Sequence, residues 1–293
     1  MAMRILVFLG LSALFFPNLS YSQEPEFQLN GKNFSQGDVV ILRRIDKAGG
    51  EFDATFLGRE RKSFRFGGHQ AVLLGIDFRL KPGAHRIVVS PGLAGGTSHS
   101  FLINVREIYP KLKYEPPKRP ADQQKRINEE QRKKTSALKE MSLEVRLMDH
   151  FIRPISPVKI NAPFGDVRCR DRRGWKKFNC RYHLGTDYRS AFDFFHQKPE
   201  QAVAINPGRV VRTAENLIDG KIVILDHGNG ISSEYLHLSK FLVKEGDMVA
   251  RGQKIGITGK TGSTNAIHLH LTIKMDNGKT VVDPEVFLKT LSK

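Results

Sequence analysis

The chain reads as a mainly β protein with a small N-terminal β-sandwich, a linker helix, and a C-terminal antiparallel β domain carrying a groove. Three observations predict this. Between Phe27 and about Glu107, short runs rich in β-branched and aromatic residues recur at roughly 10-residue intervals, separated by Gly-containing turns. From Ala121 to about His150 there is neither Pro nor Gly, and the segment is filled with Gln, Lys, Glu, Arg and Leu. Past Pro154 the pattern of strands and tight turns returns. The implied division is 1–22 as an export leader, 23–108 as the sandwich, 109–151 as connector and helix, and 152–293 as the C-terminal domain.

The leader is expected because Arg4 precedes an apolar run from Ile5 to Phe16, which Pro17 and Asn18 break. Ser20-Tyr21-Ser22 then places small residues at the two positions that matter for cleavage, near Ser22–Gln23. The run is shorter than the ~20 residues a membrane span requires. No Cys follows the cut directly, so a lipoprotein is not expected, and no later stretch could hold the mature chain in a bilayer. Export to a periplasmic or extracellular space bears on the charge. Lys and Arg number 47 against 30 Asp and Glu, a formal net charge of +17. Nucleic acid is the usual partner for such a balance, but an exported chain does not meet it. An anionic envelope polymer is the better match, since basic surface draws such polymers inward.

In the N-terminal region the expected strands are Val39–Leu42, Ala54–Leu57, Ser63–Phe66, Ala71–Phe78, His85–Ser90 and Ser100–Val105. About seven short strands with this spacing suit a sandwich of the immunoglobulin-like kind. His69, His85 and His99 are isolated there, and no catalytic cluster is expected. Tyr109 to Pro120 is rich in Pro and Lys and should be extended. In the helix, Ile127, Leu138, Met141, Val145 and Met148 form one stripe that should dock on one or both domains. The stripe has too few apolar heptad positions for a coiled coil, so a monomer is expected. Further strands are expected at Val203–Val211, Lys221–Asp226, Ser232–Leu236, Val243, Lys254–Thr258 and Leu269–Met275, with Gly220, Gly228, Gly230, Gly246, Gly252, Gly259 and Gly262 at their ends. Cys169 and Cys180, the only cysteines, flank a polar loop. In an oxidising compartment such a pair is expected to form a disulfide.

Three short pieces of the C-terminal half carry the chemistry: His183-Leu-Gly-Thr-Asp187, Tyr235-Leu-His237-Leu-Ser239 and His268-Leu-His270. The last two His stand in strand alternation, so their rings share a face. Zinc takes His nitrogen and carboxylate oxygen, and a catalytic zinc site needs three protein ligands and an open position. Two His and one Asp meet that count, leaving two His for acid–base and oxyanion work. His268 and His270 lie one strand step apart, so only one can sit squarely on the metal while the other reaches its water.

These residues resemble the lysostaphin/LytM-type peptidoglycan endopeptidases, metallopeptidase family M23. Pro163-Phe164-Gly165 resembles the entry turn and His183-x-Gly-x-Asp187 the first ligand pair. Asp226-His227-Gly228-Asn229-Gly230 and Tyr235-x-His237-Leu-Ser239 resemble the central hairpin, and Val243 to Gly256 the turn-rich stretch that follows. Gly259-x-Thr261-Gly262 leads to His268-Leu-His270, and Val282-Asp283-Pro284 closes a match over roughly residues 152–290. The resemblance implies that His183, Asp187 and His270 hold Zn²⁺ and that His268 is the general base. It further implies that His237 either stabilises the oxyanion or shares the proton transfer. His227, Asp226 and Asp283 are expected to be structural, and His196 exposed.

Three departures border the expected substrate: Arg168 one residue late with a Cys-bounded loop after it, a longer segment from Tyr188 to Ala202 with Phe192, Phe194 and Phe195, and Ser263-Thr-Asn-Ala-Ile267 ahead of the last His pair. The implied activity is zinc-dependent hydrolysis of peptide bonds in peptidoglycan cross-links, with the D,D-endopeptidase reaction first. The alternatives are a glycine-bridge endopeptidase acting on other cells and a silent regulator of a wall amidase. All five expected positions are present, which argues against the regulator.

Overall fold

The computed structural model describes residues 26–45, 50–91, 98–112, 114, 117–141, 149–156, 158–170, 179–190 and 198–292. The expected leader, Val145 and Met148, the tip between the cysteines, and Phe192, Phe194, Phe195 and His196 lie outside the described residues. The N-terminal strands are β1 (Phe27–Leu29), β2 (Asn33–Ser35), β3 (Val39–Arg44), β4 (Phe52–Phe56), β5 (Arg59–Lys62), β6 (Phe64–Phe66), β7 (His69–Gly75), β8 (Gly83–Pro91) and β9 (His99–Arg106). Helix α1 (Ala121–Lys139) follows. Then come β10 (Val158–Ala162), β11 (Val167–Arg170), β12 (Asn179–Tyr182), β13 (Thr186–Ser190), β14 (Gln201–Val203), β15 (Gly208–Asn216) and β16 (Gly220–Gly228). The chain ends through β17 (Ile231–Phe241), β18 (Met248–Val249), β19 (Lys254–Thr258), β20 (Leu269–Met275), β21 (Thr280–Val282) and α2 (Pro284–Leu291). The mainly β, largely antiparallel class is as expected.

Two N-terminal sheets, β1-β3-β7-β6 and β2-β9-β8-β4-β5, enclose a core that includes Val40, Leu42, Phe52, Val72, Leu74, Ile87 and Ile103. The alternate residues of β3 and β7 are not left in water. Val39, Ile41, Ala71 and Leu73 join the core of the C-terminal sheet with Leu288 and Leu291 of α2. Burial on both faces is why Val39-Val-Ile-Leu42 is an unbroken apolar run. Gly75 is required by the same contact, because a Cβ there would meet Thr280 Cγ2 at 2.7 Å and Met275 Sδ at 2.9 Å. Around this seam Arg59 and Arg61 reach Asp276, and Asp77 Oδ2 accepts from Val281 N at 2.9 Å.

Helix α1 is shorter than its composition predicts. It ends at Lys139, where Glu140 N donates to Ser136 O, and Asp149 and His150 are not helical. No breaker marks this end. Leu138 and Met141 dock on Ile222, Ile224 and Leu236, and Phe151 is buried against Phe287 at 5.0 Å. Lys134, which falls outside the expected apolar stripe, is buried beside Leu138.

The large sheet runs β10-β13-β20-β17-β16-β15-β18, with β21 on β20 and β19 pairing both β17 and β14. Val243 lies outside any strand but packs partly buried on the core. Asp283 caps α2, its Oδ1 accepting from Glu285 N at 2.8 Å, with Pro284 opening the helix. Asp226 Oδ1 accepts from Gly228 N at 2.8 Å and closes the turn before β17.

His227 is fully buried, its Nδ1 donating to Pro207 O and its Nε2 meeting Ser233 Oγ, each at 2.7 Å. Burial pulls this imidazole down from 6.5 to about 4, against the opposing pull of the Pro207 carbonyl and Asp226. The unfolded chain therefore takes a proton through pH 6.5 while the native chain does not until about pH 4. Stability should fall with pH across that window, by about 3 kcal/mol from this group. Urea midpoints at pH 7 and pH 4.5 measure the slope, and His227→Gln should flatten it. A variant slope equal to the parent's would rule this origin out.

Candidate metal centre

The first expected ligand sits in a turn that clasps it from both sides. His183 N donates to Asp166 O at 2.9 Å, and Gly165 N donates to His183 O at 2.8 Å. His183 Nδ1 donates to Pro163 O at 2.9 Å, which turns Nε2 inward. Gly185 follows because the His270 ring lies against it: a Cβ there would meet His270 Nε2 at 2.4 Å and Leu271 O at 2.5 Å. Asp187 is on β13, directly opposite His270 of β20 in the antiparallel register, so the two side chains share one face.

These elements bring His183, Asp187 and His270 together, with one donor atom from each within 4.8 Å of the others. Asp187 Oδ1 lies 2.8 Å from His270 Nδ1 and 3.1 Å from His183 Nε2, and these two ring nitrogens are 2.9 Å apart. The outward nitrogen of each ring is already committed. His270 Nε2 donates to Thr272 Oγ1 at 3.0 Å, since that hydroxyl gives its own proton to Leu184 O at 3.2 Å. With the outer N–H groups so placed, two imidazole lone pairs and a carboxylate face one another. Such a set repels itself unless a cation lies between, and its donors are those that zinc prefers. The residues present therefore fit a divalent metal.

His268 and His237 complete the wall. His268 Nδ1 donates to Ala266 O at 2.9 Å, and its Nε2 points at Asp187 Oδ1 from 3.4 Å. The His237 and His268 rings are 4.9 Å apart. His237 Nδ1 donates to Thr261 O at 2.9 Å. Its backbone has φ +64°, a conformation a side chain of this size rarely takes and one that clusters at functional positions. Burial, then the neighbouring His268 and His270, pull the His237 imidazole down to about 4, and burial also pushes His270 below its ordinary value.

In the sequence Arg168 stands out only by its shift of one residue. Its Nη2 is 2.6 Å from Asp187 Oδ2, so a guanidinium braces the oxygen that faces away from the rings. Arg168 is on β11, whose Cys169 is paired directly with Cys180 of β12 in the expected disulfide. Closing a loop of 11 residues is worth about 3 kcal/mol on the chain-entropy account. Cys169→Ser/Cys180→Ser should therefore melt several degrees lower than the parent and bind metal less tightly, because the hairpin delivers Arg168 to Asp187. Equal melting temperatures and equal metal affinity would make the bridge dispensable. Thr272 was also missed, although it stands one strand step after His270 and so shares its face.

The C-terminal half of the chain resembles known proteins. Residues 187–284 match the family model described as Peptidase family M23. Over 63 residues, 22% of this chain and 15% of the relative, the sequence is 49% identical to Peptidoglycan DD-endopeptidase ShyA of Vibrio cholerae. Over 103 residues, 33% of this chain and 28% of the relative, it is 40% identical to Glycyl-glycine endopeptidase ALE-1 of Staphylococcus capitis. The chain thus spans less than a third of the length of these curated relatives. A crystal structure of a peptidase M23 from Pseudomonas aeruginosa aligns over 87% of this chain and 94% of its own, with a TM-score of 0.61 and 23% identity, which bears on the fold alone.

Proposed function

We propose, for a chain whose residues 187–284 belong to peptidase family M23, that it is an exported zinc endopeptidase hydrolysing peptide bonds in peptidoglycan cross-links. The observation that carries this reading is the convergence of His183 Nε2, Asp187 Oδ1 and His270 Nδ1 with every outer N–H already donated. These three residues would hold the zinc, which when bound lowers the pKa of water to about 7 and polarises a carbonyl. His268 Nε2 carries a lone pair, because Nδ1 gives its proton to Ala266 O. It is placed to take the proton of the attacking water and return it to the leaving amine. His237 is neutral at pH 7, and its Nε2 is likewise an acceptor. It can donate to an oxyanion only after gaining a proton, which favours its sharing in proton transfer over a pre-formed oxyanion contact.

The D-alanyl cross-link is the first substrate to test, by likeness to a DD-endopeptidase. Pentaglycine is the second, by likeness to a glycyl-glycine endopeptidase. The basic balance of +17 suits either anionic wall. Export rests on the leader expected at 1–22; among the described residues no helix is long and apolar enough to cross a membrane. Incubating the purified chain with defined cross-linked muropeptides and with pentaglycine, then weighing the products, decides between them. Cleaved cross-links support the D,D reading, a cut pentaglycine replaces it with the second, and intact substrates with metal-loaded protein overturn the enzyme reading.

A further inference from the structure

The buried Lys134 of α1 grips more than its own docking site. Its Nζ lies 2.7 Å from Glu234 Oε2 on β17 and 3.2 Å from Asp219 Oδ2 in the turn between β15 and β16. Lys274 Nζ takes the other Glu234 oxygen at 2.7 Å. Taking a charge out of water is costly, and an apolar residue would dock a helix without that cost. The ion pairs make sense if the placement of the turn is what matters. One helical turn earlier, Glu130 Oε2 accepts from Leu217 N at 3.0 Å, so α1 holds this turn at two points.

The gripped turn in turn holds His237. Asp219 O accepts from His237 N at 3.0 Å. Ile218 O accepts from Ser263 N at 2.8 Å, and Lys221 N donates to Thr261 Oγ1 at 2.8 Å. Thr261 O then accepts from the His237 ring, and Thr261 Oγ1 donates to Leu238 O at 2.7 Å. The two turns meet backbone to backbone: a Cβ on Gly262 would stand 2.3 Å from Gly220 N, and one on Gly220 would stand 2.4 Å from Thr261 O. His237 keeps its φ of +64° inside this frame. Such a conformation is strained and persists only where the surroundings over-determine it.

We propose that Lys134 is a positioning residue for His237: by clamping the turn at Asp219, the linker helix holds His237 in its working orientation without touching the metal ligands. The proposal rests on the endopeptidase reading for its kinetic arm and stands independently in its structural arm. The test uses the full chain loaded with zinc, measuring kcat and KM on a cross-linked muropeptide, zinc content, and amide exchange at His237 and His270. In Lys134→Met, kcat should fall about 10–100-fold, the size of effect a small misplacement produces, with KM and zinc content unchanged. Exchange at His237 should quicken while that at His270 does not. Asp219→Ala should behave the same way and serves if Lys134→Met does not fold. Asp219→Asn, which keeps an acceptor for Lys134 and for Asn216 Nδ2, should stay close to the parent. Val89→Ala, a truncation in the N-terminal core, should lower the melting temperature yet leave kcat intact. Unchanged His237 exchange in both clamp variants, or a kcat loss matched by Val89→Ala, overturns the clamp. An inactive parent overturns the endopeptidase reading instead, and the exchange measurement still decides the clamp.

Discussion

Alanine at Asp187 should remove bound zinc and muropeptide hydrolysis together. Asp187 Oδ1 is the one charged donor among the three convergent atoms, 2.8 Å from His270 Nδ1 and 3.1 Å from His183 Nε2. Without it two neutral imidazoles remain, one ligand short of a catalytic zinc site. Arg168 makes matters worse, because its guanidinium, 2.6 Å from Asp187 Oδ2, would then face the metal with no carboxylate between them. His183→Ala should lose metal for the simpler reason of ligand count. Elemental analysis of protein purified without chelator should find about one equivalent in the parent and close to none in either variant. Hydrolysis should drop to background in step with metal content, and stripping the parent with a chelator should lower its melting temperature until zinc is restored. A parent that holds no zinc and gains no activity from it, or an Asp187→Ala protein that keeps a full equivalent, would overturn the assignment.

The site was legible in the sequence because its parts are local patterns. His183-x-Gly-x-Asp187 and His268-x-His270 set the face each side chain takes within a few residues, and the strand register of β13 on β20 then brings Asp187 opposite His270. What orients those residues was not legible, because it depends on backbone groups brought in from elsewhere. The carbonyls of Pro163, Thr261 and Ala266 choose the imidazole tautomers, and no side-chain type marks a carbonyl. Arg168 and Lys134 were hidden by distance: their partners lie 19, 85 and 100 positions along the chain.

The fold was legible where burial is one-sided or two-sided in a regular way, as in β3, β7, β16 and β20. It was illegible where strands are held mainly by their backbones. β5, Arg-Glu-Arg-Lys, is an edge strand with no apolar residue, and it exists because Asp53 to Phe56 pair with it. β11 and β12 are joined by their backbone pairing and by the Cys169–Cys180 bridge. The end of α1 was illegible because no Pro or Gly marks it.

The second large effect separates the two remaining histidines from the metal. His268→Ala and His237→Ala should each keep about one zinc and lose turnover, because neither belongs to the convergent donor set. His268 is the harder case, since its Nε2 is only 3.4 Å from Asp187 Oδ1. Its ring is tethered through Nδ1 to Ala266 O, on the stretch that approaches β20, which leaves Nε2 beside the metal cluster as a proton acceptor. Loss of general acid–base catalysis should lower kcat about 10²–10⁴-fold. For His237, whether it shares the proton or meets the oxyanion, the loss should be at least about 10²-fold. KM should change little in either variant, because neither ring is assigned to ground-state binding. Metal content measured beside rate on each variant is the check. If His268→Ala loses its zinc, His268 is a ligand and the division of the last His pair is wrong. If His237→Ala keeps the parent's kcat, the strained backbone at His237 serves the fold and not the reaction, and the clamp from α1 has nothing catalytic to hold.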